Sequence, residues 1–99
     1  DAPPAVPVRT ALAAAAPNPF RAATRVAFDL AVEADVTLEV YDVHGARVAV
    51  LASGRRPAGS HQVTWTGSDA AGRDLPAGVY LLRLVAGGQP ATRKVVKVE

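Results

Sequence analysis

Apolar and polar residues alternate in short segments along most of this sequence. A period of two is typical of β-strands, because successive side chains of a strand point to opposite faces. In residues 25–30, for example, Val26, Phe28 and Leu30 share one face. The pattern predicts strands at residues 9–12, 25–30, 35–41, 47–51, 60–66, 79–85 and 92–99.

Residues that favour turns separate these segments. We predict turns or loops at residues 42–45, 53–59, 67–78 and 87–88, which are rich in glycine, proline and aspartate. The loop at residues 53–59 would hold the Arg55-Arg56 doublet. Short strands at regular spacing are typical of antiparallel sandwiches and barrels, and no segment has a sustained helical period. The predicted fold class is therefore all-β.

The beginning of the chain contains the main ambiguity in this assignment. Residues 1–8 include three prolines and are predicted to be an extended linker, with the domain at residues 9–99. The alanine run in residues 9–16 favours a helix by intrinsic propensity. Because the run is short and ends at Pro17, an isolated helix there would be marginal. We therefore predict an extended first strand through Leu12.

A rigid corner follows this first strand. Two prolines at alternate positions fix the backbone and push the preceding residues away from helical conformations. Phe20 comes directly after them and is large enough to plug one end of a core. The corner consists of Pro17, Asn18, Pro19 and Phe20.

The last strand alternates apolar and charged side chains up to Glu99. Val96 and Val98 share one face, and we predict that they hold the strand in the sandwich. The other face carries Arg93, Lys97 and Glu99 beside Val95. Lys94, Lys97 and the Glu99 carboxylate are then expected to be accessible to a binding partner. The alternative is an ordinary edge strand whose charges only keep the protein soluble.

Composition excludes several classes of protein. Ninety-nine residues suit one domain, and the absence of cysteine excludes disulfides and thiolate metal sites. A formal net charge of +2 is scattered along the chain, so no basic stripe for nucleic acid is present. No apolar run is long enough for a transmembrane helix. Asp1 is not an initiator methionine, so we expect a segment of a longer or processed protein.

Candidate catalytic and metal-binding residues are sparse. Ser60 adjoins His61, but neighbours in a strand point to opposite faces and cannot form a nucleophile–base pair directly. Asp69 and Asp74 lie in one long turn, yet they are too few for a calcium site. We therefore predict no enzymatic activity, no metal and no cofactor.

Trp65 is the only tryptophan of the chain and the one candidate for a sugar-stacking platform. It is in phase with Val63 on the predicted strand, and no second aromatic residue is in register with it. We therefore predict that Trp65 belongs to the core, and a carbohydrate-binding module is the weakest of three functional hypotheses.

Six motifs follow one another in a specific order along residues 9–99. They are the Pro17-Asn18-Pro19-Phe20 corner, the strand with Val26 and Phe28, Val40-Tyr41-Asp42-Val43-His44-Gly45, Ala58-Gly59-Ser60-His61 with Trp65 and Gly67, Ala77-Gly78-Val79-Tyr80, and the basic last strand. In this order they resemble the C-terminal sorting domains of the type IX (Por) secretion system. They are also similar to the immunoglobulin-like domain of the flagellar hook-capping protein.

The resemblance implies an immunoglobulin-like antiparallel β-sandwich of about seven strands. It implies a non-catalytic C-terminal module that directs an upstream cargo domain of the same chain through the outer membrane. The implied partners are the outer-membrane secretion machinery and a sortase-like protease, without nucleic acid. The implied location is the cell surface or the exterior, reached through the periplasm. The hook-cap likeness implies the alternative, a structural scaffold or assembly module.

Site residues are carried over where this sequence matches the motifs. The sorting-motif positions by resemblance are Pro17, Asn18, Pro19, Gly78, Tyr80, Lys94 and Lys97. Recognition of the tail would involve Arg93, Lys94, Lys97 and Glu99. In addition, the Tyr80 ring is expected to be buried while its hydroxyl ties down a neighbouring loop. The sequence departs from the family pattern at Thr66, often Asp, and at Ala46, which interrupts the usual Gly-Arg.

Overall fold

Seven strands make up most of residues 9–99, the part of the chain that this computed structural model describes. The predicted linker at residues 1–8 lies outside the described residues. Residues 9–99 contain no helix, and therefore none that could cross a membrane. The strands are β1 (Ala11–Leu12), β2 (Thr24–Leu30), β3 (Ala34–Tyr41), β4 (Arg47–Arg56), β5 (Gly59–Trp65), β6 (Gly78–Ala86) and β7 (Gln89–Lys97).

The strands form two antiparallel sheets. One sheet has the order β1-β2-β5 and the other has the order β4-β3-β6-β7. Residues 57–58, between β4 and β5, carry the chain from one sheet to the other. The buried faces of the two sheets enclose one core. This arrangement confirms the predicted all-β class and is compatible with an immunoglobulin-like sandwich.

Two strands differ from the sequence prediction. β1 is only two residues long, although Ala13 and Ala16 continue along β2 through backbone hydrogen bonds, so the chain is extended and the helical alternative is wrong. β4 continues to Arg56, whereas the prediction ended it at Leu51. The added residues include Ser53, Gly54 and the Arg doublet, which are typical of a loop, yet they pair in continuous register with residues 34–37 of β3.

The Arg55-Arg56 doublet is therefore in a strand and not in the predicted loop. Arg55 pairs with Asp35 across the β3–β4 ladder, and its guanidinium lies 3.4 Å from Glu33 and 3.7 Å from Asp35. All three side chains are mostly exposed, so these ion pairs contribute little to stability. The backbone ladder is what extends the strand.

Aromatic rings fill one end of the core. The Trp65 ring centroid lies 5.4 Å from that of Phe20 and 5.4 Å from that of Tyr80. Trp65 is 2% exposed and its indole N–H donates to the Ser68 carbonyl at 3.0 Å. The predictions of a core Trp65 and of a corner-plugging Phe20 are confirmed. A sugar platform built on Trp65 is inconsistent with this burial.

One carboxylate is buried on the outer face of the four-stranded sheet. Glu39 is 8% exposed, and it accepts hydrogen bonds from the Tyr41 hydroxyl at 2.8 Å and from the Arg47 guanidinium at 2.9 Å. The hydrogen bond from Arg47, and next that from Tyr41, hold the pKa of Glu39 below its usual range despite the burial. The carboxylate is therefore ionised at neutral pH.

This network predicts a specific pH dependence of stability. Because the folded-state pKa of Glu39 is lowered, its contribution is present above the unfolded-state pKa of about 4.3 and is lost as the pH falls through the folded-state value. At about pH 7 we expect E39Q to be about 1 kcal/mol less stable than the parent. That difference should shrink as the pH falls below about 4 in urea unfolding. The control E33Q, at a mostly exposed carboxylate, should have nearly the parental free energy of unfolding at every pH. A stability difference between E39Q and the parent that does not change with pH would contradict the assignment.

Candidate functional site: the last strand and the Asn-Pro corner

The corner at residues 17–20 covers the outer edge of β7. The Asn18 side-chain amide donates to the Lys94 carbonyl at 3.0 Å and accepts from the Val96 amide at 2.9 Å. Next along the strand, the Phe20 amide donates to the Val96 carbonyl at 2.9 Å, and the Val98 amide donates to the Phe20 carbonyl at 2.8 Å. The Asn18 amide thus replaces the peptide group of a neighbouring strand, and β7 is already paired between Lys94 and Val98.

The corner itself is joined to β2. The Pro17 carbonyl accepts a hydrogen bond from the buried Thr24 hydroxyl at 2.6 Å, and the peptide bonds preceding Pro17 and Pro19 are cis. Phe20 is 1% exposed, so the corner ends in the core. The structure therefore brings together two motifs, the corner and the last strand, that lie more than seventy residues apart in the sequence.

The face of β7 that enters the core is opposite to the predicted one. Val95 is fully buried, whereas Val96 and Val98 are only partly buried. Val95 lies directly opposite Tyr80 of β6, and cross-strand partners point to the same face of a sheet. The buried Tyr80 therefore determines which face of β7 points inward. The prediction that Val96 and Val98 hold the strand in the core was wrong.

Lys97 shares this inward face and is not accessible as predicted. Its ammonium group donates to the Leu75 carbonyl at 2.6 Å and to the Gly67 carbonyl at 3.2 Å, and it lies 3.9 Å from an Asp74 carboxylate oxygen. The side chain is 10% exposed. Its stem packs so closely on Gly67 that a Cβ there would lie 2.8 Å from the Lys97 Cε. Lys97 therefore connects the loop at residues 67–75 to the last strand.

The other tail residues differ in how accessible their charges are. The Arg93 guanidinium donates through Nε to the Leu12 carbonyl at 2.9 Å, which links β7 to β1. The Arg21 guanidinium contacts the Glu99 carbonyl, while the Glu99 side chain is exposed. Lys94 is exposed on the outer face of the sheet, opposite Leu81. Of the predicted recognition residues, Arg93, Lys94 and Glu99 are thus exposed, whereas Lys97 is buried.

Gly78 and Tyr80 lie at the start of β6, opposite Lys97 and Val95. The Tyr80 ring is buried, and its hydroxyl donates to the Pro76 carbonyl at 2.5 Å. Burial, together with the nearby Asp42 carboxylate, raises the pKa of Tyr80 and keeps the phenol protonated as a donor. The predicted attachment of a loop by this hydroxyl is confirmed.

The residues considered for catalysis and metal binding are engaged in structural contacts. The Ser60 hydroxyl donates to Asp29 at 2.8 Å, and the His61 ring stacks on Phe28 with one nitrogen 2.8 Å from the Pro57 carbonyl. Asp69 accepts from two backbone amides of its own turn. Within residues 9–99, no group of three or more His, Cys, Asp or Glu side chains is placed to hold a metal ion.

The sequence also matches a known protein family. The family profile of the FlgD Ig-like domain matches residues 15–89, most of the chain. The chain belongs to the FlgD Ig-like domain family. No curated protein matches the sequence.

Solved structures show how this FlgD Ig-like fold occurs within larger proteins. The chain is similar to dimeric latent PorU from Porphyromonas gingivalis, with a TM-score of 0.70 and 22% identity over 85% of this chain and 9% of PorU. It is similar to PorZ, described as an essential bacterial surface component of the type-IX secretion system of that organism, with a TM-score of 0.60 and 16% identity over 91% of this chain and 11% of PorZ. FlgD from P. aeruginosa has a TM-score of 0.55 and 26% identity over 75% of this chain and 58% of FlgD.

The chain therefore spans less than two thirds of each of these proteins. At 22% and 16% identity, the likeness to PorU and PorZ shows the shared fold alone. The chain, FlgD and the two P. gingivalis proteins therefore share one β-sandwich architecture over the aligned residues.

Within this FlgD Ig-like domain, Asn18 is expected to stabilise the last strand. Replacing it with alanine removes both hydrogen bonds to β7, at an exposed position where water can substitute in part. We expect N18A to lower the free energy of unfolding by about 1–2 kcal/mol in urea denaturation. Amide hydrogen exchange should accelerate at Val96, whose donor loses its acceptor.

Asn18→Asp provides the matched control, because it keeps the acceptor for the Val96 amide and replaces the donor to the Lys94 carbonyl with an anionic oxygen. Its Val96 amide should stay more protected than in N18A. Equal exchange rates at Val96 in the parent and N18A would show that the amide bridge does not hold the strand.

Proposed function

We propose that the domain is a non-catalytic C-terminal sorting and surface-attachment module that directs an upstream cargo through the outer membrane by type IX secretion. The observation that carries the proposal is the meeting of the two motifs that the resemblance assigns to sorting. Asn18 of the first motif holds the backbone at Lys94 and Val96 of the last one. A shared fold with PorZ, a surface component of that secretion system, supports the same assignment.

In this proposal the secretion machinery recognises a folded strand and not a loose tail. The corner and the Lys97 side chain hold β7, so the backbone that carries the exposed Lys94 and Glu99 side chains is fixed relative to the sandwich. Preorganised groups bind with a smaller loss of conformational entropy than flexible ones. The partners are the outer-membrane machinery and a sortase-like protease, which attaches the cargo at the cell surface.

Secretion of a reporter tests the proposal. Residues 9–99 are fused behind a periplasmic reporter in a host with the type IX machinery and in a matched host without its translocon. We expect the fusion to reach the cell surface only in the first host. Equal surface exposure of the reporter with and without the domain would contradict the sorting role. Deletion of residues 93–99 is a less specific test, because it also removes the buried Val95.

A scaffold role is the second candidate, because the family assignment itself comes from FlgD and the similarity to FlgD from P. aeruginosa reaches 26% identity. A scaffold module would self-assemble or bind an assembly partner without exporting the reporter. The same fusion therefore separates the two roles when its oligomeric state is measured by sedimentation in parallel. The third candidate, a carbohydrate-binding module, loses its stacking platform because Trp65 is buried.

A further inference from the structure

The outer faces of the two sheets differ in character. On the three-stranded sheet the exposed strand residues are polar, as in Ser60, Gln62 and Thr64 of β5. On the four-stranded sheet, large apolar side chains are exposed instead. Val50 is 46% exposed, Val79 is 39% exposed and Leu81 is 38% exposed. Val79 and Leu81 are two positions apart on β6, so their side chains are neighbours on this face. Neighbouring exposed apolar side chains on one face of a small domain are typical of a protein contact surface.

The outer face of the four-stranded sheet contains two adjacent rows of cross-strand neighbours. The ladder pairings place Arg47, Tyr41, Leu81 and Lys94 side by side across all four strands. The adjacent row consists of Val50, Glu39, Arg83 and Thr92. We call these eight residues the charged-apolar face. In the first row Tyr41 and Leu81 lie between the cationic side chains of Arg47 and Lys94, and in the second row Arg83 lies beside Glu39.

The charge of the charged-apolar face is positive. Glu39 is the one carboxylate in the two rows, and it is already hydrogen-bonded to Arg47 and Tyr41 beneath the surface. Arg83 and Lys94 are exposed on either side of Leu81. A partner that approaches this face therefore contacts the cations Arg83 and Lys94 together with the side chains of Tyr41 and Leu81. The negative charge of Glu39 is already compensated by Arg47.

We propose that the charged-apolar face docks an acidic, partly apolar segment of another protein. Carboxylates of such a segment would pair with Arg83 and Lys94, and its apolar side chains would cover Leu81 and the neighbouring Val79. Charge complementarity favours such a segment over a second copy, because a face-to-face pair would bring the cations of both copies together. Strand addition at the β7 edge is blocked between Lys94 and Val98 by the corner. Docking on the face leaves that edge unchanged.

NMR titration of the labelled domain with a defined peptide tests the docking. The probe is a short synthetic peptide in which glutamate alternates with valine, and the controls are the lysine–valine and glutamate–serine peptides of equal length. We expect backbone amide shifts at Tyr41, Leu81, Arg83 and Lys94, little change at Gln62 and Thr64, and weaker binding at raised salt. Binding to the lysine–valine peptide should be absent.

Single variants locate the contact. R83Q removes a cation and L81S removes the apolar centre, and each is expected to weaken peptide binding about tenfold. T64E, on the outer face of the other sheet, is the control and should leave binding unchanged. Far-ultraviolet circular dichroism and unfolding of each variant separate lost binding from lost folding.

Several results would overturn the proposal. These are no binding of the glutamate–valine peptide, equal binding of the lysine–valine peptide, or shifts spread over both sheets. Self-association that L81S abolishes would assign the face to a second copy instead. Binding to phosphatidylglycerol vesicles that R83Q weakens, without peptide binding, would assign it to a lipid surface. Peptide binding and reporter export are separate readouts, so either proposal can fail alone.

Discussion

Replacing Phe20 with alanine is expected to lower the free energy of unfolding by about 3–5 kcal/mol. The ring is 1% exposed and lies 5.4 Å from that of Trp65, so its loss leaves a cavity at the end of the core. The same residue pairs its backbone with Val96 and Val98, so the cavity lies where the corner joins β7. Urea denaturation followed by Trp65 fluorescence measures the change directly.

Two control substitutions make this prediction specific. F20L keeps most of the volume and should cost only about 1 kcal/mol. V43A, at a side chain that is 65% exposed, should change stability by less than about 0.5 kcal/mol. A cost for F20A below about 1 kcal/mol would mean that the corner is not anchored by this ring.

The second large effect is expected at Lys97. Methionine in its place keeps an apolar stem but removes the ammonium donor from the carbonyls of Gly67 and Leu75. Those two acceptors then lose a charged partner in a mostly buried site, which should cost about 2 kcal/mol in urea unfolding. The amide exchange of the loop at residues 67–75 should accelerate as well, because Lys97 connects it to the last strand.

K94M is the matched control for K97M, since it makes the same chemical change on the same strand. Lys94 is exposed on the outer face, so this variant should be within about 0.5 kcal/mol of the parent. Equal stability of K94M and K97M would contradict the structural role of Lys97. It would restore the interpretation in which both ammonium groups are free to bind a partner.

Sequence patterning predicted most of the sheet framework, because period-two alternation and turn residues are local signals. Val26, Phe28 and Leu30 of β2 face the core as expected. The pattern failed at the end of β4, where Ser53, Gly54 and the two arginines show no apolar alternation although they pair with β3. A local period cannot show that a polar segment is held in a strand by pairing with its neighbour.

The phase of β7 could not be read from β7 alone. Both of its faces carry valines, so the alternation is equally consistent with a buried Val95 and with a buried Val96. The pairing of Val95 with Tyr80 decides between them, and that pairing depends on the hairpin register. The buried ammonium of Lys97 follows from the same phase, as does the exposure of Lys94.

Long-range hydrogen bonds were also beyond the reach of sequence patterns. Asn18 was marked by the corner motif, but nothing local indicates that its amide pairs with a strand 76 positions away. The apolar side chains of the charged-apolar face, in contrast, could have been predicted from a local signal in the sequence. Residues 79–82 are all apolar, so β6 must expose large apolar side chains on one side.

Surface delivery of a reporter by charge-reversed domains tests the central claim most directly. The test variant carries R93E and K94E, and the control carries R55E and R56E, which change the net charge equally on another strand. We expect surface reporter to fall about tenfold or more in the test variant and to remain at the parental level in the control. Equal delivery by both variants, with both folded, would contradict recognition of this domain through its last strand.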